Sequence, residues 1–347
     1  NPALLGPLMV LARGLRSSRV PEILARRLPS GGVLGQVRLG LGMMAATAES
    51  RGLGVWENGR QERRLGSAGV PTGGEARGGG GPGTGGAGSG TGGSETLGGG
   101  APTATLLGCI QEGLLARVNR ATCRVLEVNG YATVDVPGQG CCGAIHAHTG
   151  DLERARSLAR ANIRAFEASG VQVIAVNAAG CGAALKDYPH LLADDPDFGP
   201  RGAALAKKVR DVSELLGREG VRKGAPLPLT VTYDAPCHLL HAQRISEEPE
   251  FLLRSIPGLC LVPLANHDEC CGGAGVYGIT HPDLGGRIGE DKVRAVLETG
   301  AAVVATGNPG CMMQIGAGLM AVGSEVGVVH PIELLDESYR LAGFFGP

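Results

Sequence analysis

DLERARSLARANIRAFEASGVQVIAVNAAGC, residues 151–181, reads as a helix, a strand and a cysteine in succession. Asp151 can cap a helix whose apolar residues Leu152, Ala155, Ala159, Ile163 and Phe166 recur at helical spacing, and Gly170 ends it. Val171 to Val176 follows as a short, β-branched, buried strand. The unit recurs as PDLGGRIGEDKVRAVLETGAAVVATGNPGC, residues 282–311. There Pro282 sets the first turn, Ile288, Val293, Val296 and Leu297 carry the apolar face, Gly300 stops the helix and Ala301 to Ala305 is the strand. Both strands lead through an Asn, Asn177 or Asn308, into a Gly-Cys pair.

Working outward, each unit is preceded by Cys-Cys-Gly and, before that, by a lone cysteine. The first set is Cys109, Cys141-Cys142-Gly143 and Cys181, and the second is Cys237, Cys270-Cys271-Gly272 and Cys311. Equivalent steps are 32 and 39 residues in the first copy and 33 and 40 in the second, which marks an internal duplication. Ala104 to Leu107 reads as a buried strand before the Cys109 loop, and a helix is expected from Glu112 to Val128. Val212 to Leu216 and His330 to Leu335 resemble each other as the starts of closing helices. Alternating strands and helices give an α/β fold: two pseudo-symmetric α/β lobes with parallel sheets, at 104–225 and 226–347. The motif cysteines are expected in loops at strand ends, which gather at one crevice in open α/β sheets.

The remaining residues divide in two. Residues 1–65 carry broken helical patterns such as Val20 to Leu28, giving a helical N-terminal segment of no legible role. Residues 66–103 are about half glycine and read as a disordered linker, because such a composition buries too little apolar surface to offset its ordering entropy. The 347-residue chain has net charge -1, five Phe, five Tyr and one Trp, and no basic block, which excludes a nucleic-acid footprint. The apolar stretch Ala3 to Ala12 is too short to span a bilayer. The first residue is Asn1 rather than Met, so an N-terminal part is expected to be missing. Ten cysteines with adjacent pairs do not form a secreted disulfide framework, which points to a reducing, cytoplasmic compartment.

Four thiolates per copy suit a metal or cluster site. Adjacent cysteines diverge, which strains ligation of one small ion and is more easily met by a cluster whose irons are spread out; zinc at one site stays open. Gly143, Gly182, Gly272, Gly273 and Gly310 flank the ligand candidates, where a missing Cβ lets backbone N–H groups approach sulfur, or simply allows tight turns. Cys123 and Cys260 fall outside the pattern and read as small core residues. His146, His148, His238 and His241 lie near the cysteines, as ligand substitutes, proton relays, caps or surface groups. Lys186 and Lys292 read as solvated residues, with charge pairing to a cluster as the alternative.

The doubled Cys, Cys-Cys-Gly, Cys pattern resembles the cysteine-rich CCG domains of heterodisulfide reductase, of lactate-utilisation proteins and of the glycolate oxidase (glycolate dehydrogenase) iron-sulfur subunit. The last is most similar, through Gly180-Cys181-Gly182-Ala183, Lys186-Asp187-Tyr188, Cys237 to Gln243, and Cys270 to Tyr277 running into Thr280-His281-Pro282-Asp283-Leu284, over about Ala104 to Leu341. The resemblance implies an iron-sulfur electron-transfer subunit, with one or two 4Fe-4S clusters, of a flavin-dependent 2-hydroxy-acid dehydrogenase. FAD and substrate oxidation would sit on partner glycolate oxidase subunits, and electrons would pass toward quinone from a peripheral position on the inner face of a membrane or in an organelle. The ferredoxin-like region that the resemblance also implies, with its two C-x2-C-x2-C sets, is not among these 347 residues. Ala184 and Gln314 stand where heterodisulfide reductase carries a further cysteine, which argues against disulfide-reducing catalysis. A zinc-stabilised binding module is the remaining alternative.

Overall fold

The computed structural model describes residues 15, 18, 20–28, 32–48 and 99–345. Helices α1 (Val20–Arg27) and α2 (Gly32–Ala46) come first. One lobe then runs β1 (Pro102–Thr105), α3 (Cys109–Leu114), α4 (Ala116–Val128), β2 (Ala132–Thr133), α5 (Ala144–His148), α6 (Leu152–Ser169), β3 (Val173–Val176), α7 (Ala179–Lys186), α8 (Tyr188–Leu191), α9 (Phe198–Ala206), β4 (Val209–Asp211) and α10 (Val212–Glu219). The other runs β5 (Thr230–Asp234), a π-helical turn (His238–Ala242), α11 (Glu248–Ser255), β6 (Cys260–Val262), α12 (Val276–Thr280), α13 (Pro282–Glu298), β7 (Val303–Thr306), α14 (Pro309–Ala321), β8 (Gly327–Val329) and α15 (Pro331–Leu341).

Each lobe has a four-stranded, all-parallel sheet, ordered β2-β1-β3-β4 and β6-β5-β7-β8. Chain direction across the sheet reverses between β1 and β3, and again between β5 and β7. At such a switch point the loops leaving the two central strands diverge and open a crevice. Those loops lead to Cys109 and Cys181 in one lobe and to Cys237 and Cys311 in the other, so topology alone delivers half of each cysteine set to one place.

The lobes exchange helices. The closing helix α15 of the second packs on α4 of the first, and α10 of the first packs on α11 of the second. One apolar cluster runs through both, with Val118, Val125 and Leu126 meeting Leu252, Leu253, Ile332 and Leu335. Arg117 donates to Glu333 at 2.7 Å, and Arg124 makes a two-pronged pair with Asp336 at 2.9 and 2.6 Å. Arg117 also donates to the Thr47 carbonyl at 2.9 Å, which ties the end of α2 to both lobes. α2 itself lies along α14 through small residues: a Cβ on Gly42 would sit 3.2 Å from that of Ala317, and one on Gly316 only 2.6 Å from that of Ala46. The N-terminal helices therefore roof the second lobe.

Several expectations are corrected. β1 begins two residues before the expected Ala104 and crosses the proposed end of the linker at 103, because Pro102 and Thr103 already pair with β2. The linker itself lies outside the described residues up to residue 98. The helix expected from Glu112 to Val128 is two helices that break at Leu115. Leu152 and Leu297, assigned to inner faces, are exposed. The motif cysteines are not all in loops: Cys109, Cys181 and Cys311 lie in the first turns of α3, α7 and α14. Cys260 is exposed at the start of the edge strand β6 instead of lying in the core.

Two buried caps give the fold a pH signature. His330 opens α15, accepting from Ile332 N at 3.1 Å, and burial pushes its ring down from an ordinary 6.5 to about 3. Asp211 opens α10 in the same way, accepting from Ser213 N at 2.9 Å, and burial pushes its carboxyl up from 3.8 to about 6. Between about 4 and 6 the unfolded chain carries the proton on His330 while the folded chain carries it on Asp211, so the two slopes of stability against pH oppose each other. Replacing His330 with Asn keeps a cap and removes one slope. The variant's slope of stability against pH between about 4 and about 6 should then be more negative than the parent's, by up to ~1.4 kcal/mol per pH unit, as read by urea unfolding. A slope unchanged from that of the parent would contradict the assignment.

Candidate metal centre

Polar side chains hold the first cysteine loop. Gln139 accepts from Leu107 N and donates to the Thr105 carbonyl, at 2.9 and 3.1 Å, which fastens the loop before Cys141 to the end of β1. Asn162, buried on α6, accepts from Gly140 N at 2.8 Å and donates to the Cys141 carbonyl at 2.9 Å. Tyr188 donates to the Cys142 carbonyl at 2.9 Å. Gln111 on α3 reaches the Asn177 carbonyl at 2.9 Å and so links the two switch-point loops. With the backbone held from three sides, the thiols meet side by side.

Cys142 Sγ lies 3.2 Å from Cys181 Sγ, and the thiols of Cys109 and Cys142 both act on Cys141 as hydrogen-bonding neighbours. The second lobe repeats the order, with Cys237 on Cys270, Cys270 on Cys271 and Cys271 on Cys311. Each motif cysteine thus has another of its own set as a neighbour. Cys123 stands apart on α4, 3.6 Å from the Thr105 hydroxyl. Among the described residues no group of three or more His, Cys, Asp or Glu side chains is arranged to hold a single metal ion.

Within each quartet the charges cannot all form at once. Hydrogen bonds from two neighbouring thiols hold Cys141 and Cys270 well below the ordinary thiol range. Their neighbours are pushed up: Cys109 and Cys237 by donating those bonds and by burial, and Cys142 and Cys271 by the same bonds, by the thiols of Cys181 and Cys311, and by burial. A like charge nearby disfavours each further ionisation. Further ionisation of the set needs a compensating cation, and a donor set made wholly of sulfur suits an iron-sulfur cluster, whose irons are spread over several positions. The residues present fit such a group.

Backbone donors already face the sulfurs. Gly143 N lies 3.5 Å from Cys141 Sγ, Gly272 N lies 3.3 Å from Cys270 Sγ, and the Asn308 side-chain amide lies 3.4 Å from Cys311 Sγ. Gly143 and Gly272 have φ of 86° and 83°, the left-handed region that only glycine enters freely. The other glycines differ in surroundings. A Cβ on Gly273 would lie 3.4 Å from Cys271 Sγ, whereas one on Gly182 would meet Gln243 of the second lobe at 2.7 Å and one on Gly310 would meet the Asn308 amide at 3.2 Å.

Of the four histidines, His148 and His238 meet across the lobes. The rings of His148 and His238 are 5.9 Å apart, and His146 pairs with Asp151 at 3.2 Å. Lys186 pairs with Glu214 at 3.2 Å. Lys292, read as solvated, is 1% exposed and lies 3.0 Å from the equally buried Asp234, a correction that follows from its place on the inner face of α13. Sequence reasoning missed Asn162, Gln111, Gln139 and Asp234. Asn162 had a signal: a polar residue in register with Ala159, Ile163 and Phe166 on an inward helix face needs a partner.

Residues 103–186 and 231–316 each match the family described as CCG: Cysteine-rich domain. The chain is 38% identical over 236 residues to the probable glycolate oxidase iron-sulfur subunit of Bacillus subtilis (strain 168), across 67% of this chain and 53% of that protein. It is 32% identical over 241 residues to lactate utilization protein A of Exiguobacterium sp., across 69% of this chain and 98% of that protein. It therefore spans about half the length of the first relative and nearly all of the second. Among solved structures, a hypothetical protein from Helicobacter pylori has a similar fold, with TM-score 0.50 and 11% identity over 96% of this chain and 66% of that one.

Proposed function

The chain belongs to the cysteine-rich CCG-domain family, with the domain in two copies, and from that premise we infer that it is an iron-sulfur electron-transfer subunit of a 2-hydroxy-acid-oxidising complex. What supports this reading is the doubled set of four cysteines, in which the loops leaving the two central strands of each sheet lead to two cysteines of its set and neighbouring thiols act on one another. Cys109, Cys141, Cys142 and Cys181 would hold one 4Fe-4S cluster, and Cys237, Cys270, Cys271 and Cys311 a second. A bound cluster supplies one-electron storage. The chain's own part is to hold eight thiolates, to exclude water from the buried three, Cys142, Cys271 and Cys311, and to present N–H donors to sulfur, which favours the more negative state.

The names of the relatives suggest the setting. Glycolate or lactate would be oxidised on a partner carrying FAD, and this chain would relay the electrons toward quinone. The 98% coverage of lactate utilization protein A favours a lactate-type complex as the second form of the same role. Among the described residues no helix is long and apolar enough to cross a membrane. The relay is tested by adding photoreduced FAD to the anaerobically purified chain and following visible absorption. Bleaching by reduced flavin, reversed by a soluble quinone, is expected. A coloured protein that reduced flavin leaves unchanged would contradict the relay, and a colourless zinc protein would replace it with a structural site.

A further inference from the structure

The duplication supplies an internal control, because the two lobes fold alike yet differ around their sulfurs. Position for position, Asn162 on α6 corresponds to Lys292 on α13, each the eleventh residue of its helix. Leu106, which follows β1, corresponds to Asp234, and Val176 at the end of β3 corresponds to Thr306 at the end of β7. Asn162 and Lys292 do the same mechanical work. Asn162 binds the backbone at Gly140 and Cys141, and Lys292 donates to the Asn266 carbonyl at 2.5 Å, in both cases fastening the loop that carries the adjacent cysteines. The first lobe does this with a neutral amide beside Leu106 and Val176. The second does it with an ammonium 3.0 Å from a carboxylate, both 1% exposed, and Thr306 donates to the other oxygen of that carboxylate at 2.9 Å.

A buried ion pair seldom stabilises a fold more than apolar residues of the same volume, since desolvation offsets the attraction. The first lobe shows that this architecture stands without one. The pair stands beside the second sulfur set: Asp234 ends β5 three residues before Cys237, and Lys292 holds the Asn266 carbonyl in the loop that leads to Cys270. We propose that the buried Lys292–Asp234 pair makes the two sulfur sites inequivalent, fixing a reduction potential at the second that the neutral first lobe cannot impose, so that electrons have a direction between the lobes. Lys292 and Asp234 are positioning residues in this scheme, and the proposal rests on both quartets holding clusters.

Reduction adds one negative charge to a cluster, so a nearby cation favours it and a nearby anion opposes it. Asp234→Asn, nearly isosteric, leaves the cation alone and should raise the reduced-to-oxidised ratio of the second site at a fixed potential at least tenfold, equal to about 59 mV for a one-electron couple. Lys292→Met should shift the ratio the opposite way, and Lys292→Arg should restore it. The first site, recorded in the same potentiometric titration followed by electron paramagnetic resonance, should stay within threefold of the parent in every variant. Opposite shifts confined to one site are not produced by a general loosening of the fold. If Lys292→Met does not fold, the Asp234→Asn arm decides alone. Iron and sulfide present with the second site's ratio unmoved in Asp234→Asn would overturn the inference and leave the cluster reading standing; a parent protein without iron and sulfide would overturn both.

Discussion

Cys141→Ser and Cys270→Ser are each expected to abolish the cluster signal of one lobe and leave the other. Each of these residues has two neighbouring thiols and a glycine N–H directed at its sulfur, which lower it below the ordinary thiol range and make it the natural seat of a metal-sulfur bond. Serine keeps the shape and loses the soft ligand. Visible absorption and the resonance signal after dithionite reduction should fall to about half in either variant and to background in the double variant. Cys123→Ser supplies the control, because its sulfur faces Thr105 and touches neither quartet. Loss of signal on the Cys123 change, or retention on the other two, would contradict the ligand assignment.

The second large effect is expected at Gly272. Its φ of 83° disfavours any side chain, and a Cβ there would run into the Gly285 carbonyl and lie 2.8 Å from Gly289 N, both on α13. The Cys-Cys-Gly turn thus lies flat on the helix, as the Gly143 turn lies on Ala155 in the first lobe. Gly272→Ala should cost roughly 3 kcal/mol or more, combining backbone strain with overpacking against main chain that cannot yield. Gly286→Ala on the same helix meets nothing within 4 Å and should stabilise by about 0.5–1 kcal/mol. Denaturant unfolding of the two variants distinguishes a specific close approach from a general dislike of change in α13; equal effects would refute the packing argument.

Much of this was legible in the sequence because it is periodic. The helices at Leu152–Ser169 and Pro282–Glu298 and the strands after them follow from apolar spacing bounded by Asp151, Pro282, Gly170 and Gly300. The duplicated cysteine steps then imply two parallel lobes. Element ends were less legible: β1 starts at Pro102 because its pairing with β2 depends on chain that is distant in sequence. The helix-exchanging contact of the lobes and the roof formed by α1 and α2 also come from tertiary packing, which leaves only small residues such as Gly42 and Gly316 as a trace.

The polar residues around the sulfurs illustrate a different limit. Lys292 lies four residues after Ile288 and four before Val296, in register with the apolar face, and that placement argued for burial although its charge argued for solvent. What decides between them is Asp234, more than fifty residues away and adjacent only once β5 and α13 are packed together. Pairing of this kind has no local signal. A charged residue in an apolar register is nonetheless a reason to look for its partner.

The most direct measurement is elemental: iron, acid-labile sulfide and zinc per chain in protein purified without oxygen. Iron and sulfide in about equal amounts, at levels that fill both quartets, are expected. Zinc in their place, with no sulfide and no visible absorption, would contradict the account.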